Sequence, residues 1–227
     1  MRAYHFLDVE SFLDFTNPNS RYSSDDDQLP LEGNDQPSSL LTLTTKDYYE
    51  GFQKYVIVHE KLKKKSGRAY DQEILFKQFI ESKNMNAYYH PEKKLLLVEG
   101  DKGGVNGWVR RFSKVFGDKF RVSRSNVDFP YLVKHSENVW GGWISGFNDG
   151  SLKSVALFGD HVNLNEDYSR LEAAGKLSSL NCALTFEKKS YDFTITANKT
   201  VVIMQNQTSE QDLDLLMHLK PILYKEI

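Results

Sequence analysis

The sequence predicts an α+β fold: mostly antiparallel sheet, two or three packed amphipathic helices and a helix near the C-terminus. Three observations carry this. Stretches of alternating apolar and polar residues are joined by turns too short for a parallel crossover. Apolar residues recur at helical spacing in a few separate windows. The two kinds of segment cluster instead of alternating regularly, which disfavours a doubly wound fold. The chain has 227 residues, 40% of them hydrophobic. That is enough for one large domain, or a medium domain with an appendage.

Taken in order, residues 4–15 fit either a helix or a strand. Residues 16–40 hold Pro18, Pro30, Pro37 and the triplet Asp25–Asp26–Asp27 among Ser, Asn and Gln, and read as a linker or long loop. QKYVIVHE at 53–60 is a short strand, and Lys61 to Arg68 is a basic run ending in a turn. Ile74, Leu75, Phe76, Phe79 and Ile80 predict an amphipathic helix over 71–83. Two strands follow around Pro91–Glu92. The second contains Leu95–Val98, apolar on both faces, and should be central in its sheet. GDKGGVNG at 100–107 reads as a glycine-rich loop leading into a helix. Val105, Trp108, Val109, Phe112, Val115 and Phe116 form the apolar face of that helix, and Gly117 stops it.

Further on, WGGWISGF and SLKSVALF flank Asn148–Asp149–Gly150 as a hairpin. A short helix over 165–174 ends at Gly175. Leu180, Cys182, Leu184 and Phe186, then Tyr191, Phe193 and Ile195, give two strands of a three-stranded meander over 179–206. Ser209 opens the last helix, with Asp212 three residues on in a near capping box. Pro221 should kink or end it. These elements divide the chain into an N-terminal segment with an acidic polar linker (1–45), a basic α+β region (46–135), and a meander with the C-terminal helix (136–227). The last two are expected to form one unit. No internal repeat is present.

The formal net charge of −2 conceals an uneven distribution. Residues 1–50 carry 3 basic and 10 acidic side chains, whereas residues 51–125 carry 17 basic and 8 acidic. Such asymmetry marks an electrostatic binding surface, or an acidic segment that docks on a basic one. No apolar run is long enough to span a bilayer, and the N-terminus lacks an apolar core suited to a secretory signal. The single cysteine, Cys182, excludes an internal disulfide and lies in an alternating stretch, which suggests a buried structural thiol. A cytoplasmic protein with no membrane association is expected.

Two groups of residues stand out as a candidate interface. Lys63, Lys64, Lys65 and Arg68, with Lys102, Arg110, Arg111, Lys114, Arg121 and Arg124, would supply cations to a nucleic acid or another polyanion. The aromatic residues between them fall on the apolar helix face and read as core. Trp140 and Trp143, at i and i+3 on a strand, should point to opposite faces, one into the core and one toward a partner. Weaker candidates are the glycine loop, whose spacing matches neither a P-loop nor a dinucleotide fingerprint, and Gly159–Asp160–His161 with Glu166 and Asp167. Glu92 and Lys94, with Asp71 upstream, have a nuclease-like spacing.

No metal-ligand signature, nucleophile elbow or paired histidines were found, so no cofactor or metal is expected. The reading is a non-enzymatic binding or complex-forming protein that contacts nucleic acid or an acidic protein through its basic middle, alone or as an oligomer. The alternatives are a metal-dependent nuclease, or another phosphodiester enzyme, and a purely protein–protein subunit.

Overall fold

In a computed structural model, the described residues are 1–12, 21–23, 36–68, 75–124, 126–148 and 151–223. They form two compact units, one of residues 7–123 and one of residues 1–6 with 124–227. Strand β1 (Arg2–Ser11) settles the ambiguity of the N-terminal stretch and contributes residues to both.

The first unit is built on long antiparallel strands. Among these, β3 (Ser38–Tyr49), β4 (Phe52–Lys63) and β7 (Phe79–His90) each have 12 residues, and β8 (Leu95–Glu99) has 5. β1 is the neighbour of β8, and the order continues β8–β7–β4–β3 to the short strand β2 (Arg21–Ser23). β8 is thus interior to the sheet, as its apolar run predicts, with Leu95 to Val98 fully buried. β5 (Gly67–Arg68) and β6 (Leu75–Phe76) pair separately.

The expected helix over 71–83 is corrected. Residues 71–74 lie outside the described residues, and from Phe79 onward the chain is strand, paired with β4 from Lys63↔Phe79 to Gln53↔Tyr89. Five apolar residues crowded into seven positions satisfy a helical template without excluding a strand, and the long ladder with β4 decides between them.

One helix, α1 (Lys102–Phe116), covers the sheet of this unit. Alternation along β4 points Tyr55 and Ile57 toward it. Together with Leu41, Met85, Leu96, Val98, Leu7 and Val9 they enclose Val105, Trp108 and Phe112 of the helix, and Phe120 beyond it. Trp108, Phe112 and Phe120 are fully buried, so the aromatics of the basic stretch are core. The glycine-rich segment differs from the expected loop. Asp101 caps the helix by accepting from Gly104 N at 2.9 Å, and everything from Lys102 onward is already helical. A short strand, β9 (Arg121–Ser123), pairs with β1 after the helix.

In the second unit the predicted meander is present as β12 (Lys176–Phe186), β13 (Lys189–Thr196) and β14 (Thr200–Ile203). The predicted hairpin is β10 (Asn138–Ser145) with β11 (Ser154–Phe158). The sheet runs β11–β10–β12–β13–β14 and is completed by the start of β1. Cys182 is buried as expected, and burial pushes its thiol up to about 11. Helix α2 (Phe129–His135) was not predicted. It is seven residues long, too short for periodicity, and its only signals are the Asp128 cap, which accepts from Tyr131 N at 3.0 Å, and Pro130 in the first turn. The predicted short helix is α3 (Glu166–Ala174).

The C-terminal helix α4 (Ser209–Leu223) runs through Pro221 to Leu223 instead of ending there. Its capping box lies one residue before the expected one. Thr208 N donates to Gln211 Oε1 at 3.1 Å, and Gln211 N donates to Thr208 Oγ1 at 3.3 Å. Asp212 is instead buried and accepts from Tyr4 Oη at 2.6 Å and from Gln207 Nε2 at 2.6 Å. No described helix is long and apolar enough to cross a membrane.

Candidate anion-binding site

The face of the sheet that meets α1 changes character along β4. Its strand pairings put Leu41, Ile57 and Met85 in one row, apolar and buried. Two residues further along, the same face carries Ser39, His59 and Lys83, and the next row carries Lys61 and Glu81. The N-terminal half of α1 lies over these polar rows, and glycines allow it to sit close. A Cβ at Gly107 would fall 2.6 Å from His59 Nε2 and 3.0 Å from Lys61 Cε, and one at Gly104 would fall 3.1 Å from Met85 Sδ. Glycine inside a helix costs about 1 kcal/mol relative to alanine. Here close approach to the sheet requires it.

The result is a concave site of about 540 Å³ between α1 and β4, lined by His59, Lys61, Asn106, Gly107, Arg110 and Arg111, with Pro37, Leu62 and Gly103 at its margins. His59 is only 2% exposed. Arg111 Nη1 donates to Ser39 Oγ at 2.9 Å and to the Glu60 carbonyl at 3.0 Å. Ser39 Oγ lies 2.7 Å from His59 Nδ1, and Arg111 Nη1 is 3.5 Å from the same nitrogen. With a guanidinium donating to it, the serine hydroxyl turns its own proton to Nδ1, which assigns the imidazole proton to Nε2. That N–H has no hydrogen-bond acceptor among the described residues and belongs to a side chain that lines the pocket.

Electrostatics reinforce this arrangement. Burial, and then the charges of Arg111, Lys61 and Arg110, push His59 down from 6.5 to about 3, with Asp101 opposing. The ring is therefore neutral at physiological pH, a donor that adds no charge. Lys61 donates to the Gly103 carbonyl, and burial, more than any neighbouring charge, lowers its pKa. Among the described residues, Asp101 pairs with Lys83 at 2.7 Å and caps the helix, and Glu81 pairs with Lys63 at 3.4 Å. The hydrogen bond from Lys83 holds the Asp101 carboxyl below its usual range. Cations on both walls, a buried N–H and the positive end of a helix dipole suit an anion.

A pH effect on stability follows from the depressed histidine. The unfolded imidazole takes up a proton near 6.5 and the folded one only near 3, so stability falls as pH drops through that window. The loss at pH 5 is about 2 kcal/mol. In urea titrations at pH 7 and pH 5, His59→Gln should lose this share of the decline. An unchanged difference between the two pH values would show that His59 ionises normally in the fold.

No known family model matches this chain, and no curated protein matches it in sequence.

Of the residues singled out from sequence, the pocket brings together Arg110 and Arg111. Lys63 pairs with Glu81, and Arg121 pairs with Asp118. Lys64, Lys65, Arg68, Lys102 and Lys114 are exposed, outside the pocket lining. Arg124 falls in the other unit, half-buried, with Nη2 lacking a hydrogen-bond partner among the described residues. Trp140 and Trp143 are both half-buried, in place of one core and one exposed ring. A bulge between Val139 and Gly141 breaks the alternation on which that expectation rested, and Trp143 packs edge-on against Phe158 at 5.0 Å.

Around Asp160 and His161 the geometry is that of a turn. Asn138 Nδ2 donates to Asp160 Oδ1 at 2.7 Å, and His161 N donates to Asn138 Oδ1 at 2.9 Å. Glu166 and Asp167 sit in the first turn of α3. Glu92 and Lys94 occupy the turn between β7 and β8, and Asp71 lies outside the described residues. Among the described residues no three acidic, histidine or cysteine side chains gather to hold a metal. His59, Lys61 and Ser39 were missed as site residues. The available signal was a glycine pair at i and i+4 on the cationic side of a helix, preceded by a strand whose inward alternation passes from Ile57 to His59.

Proposed function

We propose that this protein binds nucleic acid through its phosphates, without catalysing a reaction, and that the pocket between α1 and β4 is the centre of the contact surface. The observation that carries this reading is the buried, neutral His59, which lines a pocket together with Lys61, Arg110 and Arg111 and whose Nε2–H has no acceptor among the described residues. Placing a hydrogen-bond donor among cations favours an acceptor-rich anion over a cation or a neutral ligand. The exposed Lys64, Lys65, Lys102 and Lys114 extend the positive field beyond the pocket.

Fluorescence anisotropy with single- and double-stranded DNA and RNA, at two salt concentrations, tests the proposal. Affinity should fall steeply with salt, and Arg110→Ala combined with Lys61→Ala should weaken binding to all sequences. The salt slope should drop by about one for each phosphate contact removed. Absence of binding at low salt, with recovery of an acidic protein from cell extract instead, would overturn the proposal in favour of a protein partner.

A further inference from the structure

We infer that the two-stranded ribbon at the end of β4 and the start of β7 lies in the major groove of a B-form DNA duplex. This rests on the nucleic-acid reading above and names the form of nucleic acid and a second surface that meets it. The sheet narrows toward this end. The ladder between β3 and β4 stops at Ser39↔His59, and the ladder between β7 and β8 stops at Asn86↔Glu99. The pairing of β4 with β7 continues through Lys61↔Glu81 and Leu62↔Ile80 to Lys63↔Phe79. In these rows no third strand pairs with either one among the described residues.

Beyond Lys63 and Phe79 the same two segments pair again as β5 and β6, at Gly67↔Phe76 and Arg68↔Leu75. Between the two ladders Lys64, Lys65 and Ser66 oppose Lys77 and Gln78, and the extra residue on one strand is the count of a bulge. Links this short on both strands join the two ladders into one arm. From Lys61 to Arg68 the arm extends at most about 26 Å, at about 3.3 Å per residue. That is most of one turn of a B-form duplex, about 34 Å.

The arm carries cations from both of its strands. Lys64, Lys65, Arg68 and Lys77 are exposed and form no ion pair with a described residue, whereas Lys63 is paired with Glu81. Lysines on a sheet edge also serve to block pairing with another chain. Here the base of the arm, Lys61 and Leu62, lines the pocket, so arm and pocket form one continuous surface. The major groove of B-form DNA, about 12 Å wide, admits a two-stranded ribbon, and cations on its two strands then reach the phosphates on either side. The major groove of an RNA duplex is too narrow for side chains to read, and a single strand has no groove.

The test uses the full chain with a DNA duplex, an RNA duplex of the same sequence and the DNA single strand. Anisotropy should show the DNA duplex bound about tenfold more tightly than either of the others. Lys64→Ala combined with Lys65→Ala and Arg68→Ala should erase that advantage, lower the salt slope for the duplex by up to about three, and weaken single-strand binding far less. Lys77→Ala, on the opposite strand of the arm, should reduce the advantage, and it decides the matter if circular dichroism shows the triple variant to be misfolded. Equal binding of the three nucleic acids, or tighter binding of the RNA duplex, overturns the inference and leaves the broader reading standing. Absence of binding to any of them overturns both. A duplex preference that survives in a folded triple variant also overturns the inference, and self-association of that variant would assign the cations to guarding the ribbon edge.

Discussion

Arg2→Ala is expected to cost the unit formed by residues 1–6 and 124–227 about 3–5 kcal/mol, because it strips the cation from a fully buried carboxylate. Arg2 Nη2 lies 2.8 Å from Asp212 Oδ2, and the Asp212 side chain is 0% exposed. The same guanidinium donates to the carbonyls of Gln207 and Thr208 and to Ser209 Oγ, and so ties β1 to the start of α4. Without it the Tyr4 hydroxyl and the Gln207 amide remain as donors, but neither neutralises the charge. A surface ion pair would be worth 1 kcal/mol at most. Here the cost is large because a buried charge loses its compensation. Replacing the cluster with apolar residues, as in Arg2→Met with Tyr4→Phe and Asp212→Leu, should recover most of the loss. Urea unfolding followed by hydrogen exchange of the β14 amides measures both. A loss below 1 kcal/mol for Arg2→Ala would mean that the carboxylate is neutral or solvated.

How much of this was legible in the sequence depends on the range of the contacts involved. The meander could be read because Leu180, Cys182 and Leu184 alternate over a short window and its turns are tight. The apolar face of α1 could be read because Trp108 and Phe112 are four residues apart. Where the partner is distant, local pattern was insufficient. Phe79 to Lys83 reads as part of a helix until β4 supplies a ladder of eleven residue pairs. The site was hidden for the same reason. His59 acquires its character from Ser39, twenty residues earlier, and from Arg111, fifty-two residues later. In the sequence it is one of 6 scattered histidines. The basic charge of the middle third was visible from the start. Which cations converge was not, because that depends on the alternation of β4 meeting the stripe of α1 that carries Gly103, Gly107, Arg110 and Arg111.

That convergence makes Trp108 the second residue of large expected effect. It is fully buried, with ring centroids 5.0 Å from Phe112 and 5.3 Å from Phe120, and it anchors the helix that forms one wall of the pocket. Trp108→Ala should cost about 3–5 kcal/mol through lost burial and the cavity left behind. Trp108→Phe should behave differently. The indole Nε1 is buried with no hydrogen-bond partner among the described residues, so desolvation of that N–H already weighs against the native side chain. Phenylalanine removes the N–H together with part of the ring, and relief of about 1–3 kcal/mol offsets much of the lost packing. The two variants therefore separate anchoring from chemistry at the site. Trp108→Phe should retain both the stability of this unit and the affinity for nucleic acid, while Trp108→Ala should lose both, since a helix that shifts carries Gly107 and Arg110 away from His59 and Lys61. Equal destabilisation by the two would show that the indole N–H makes a bond worth keeping. Full affinity in Trp108→Ala would show that the helix wall does not form the binding surface.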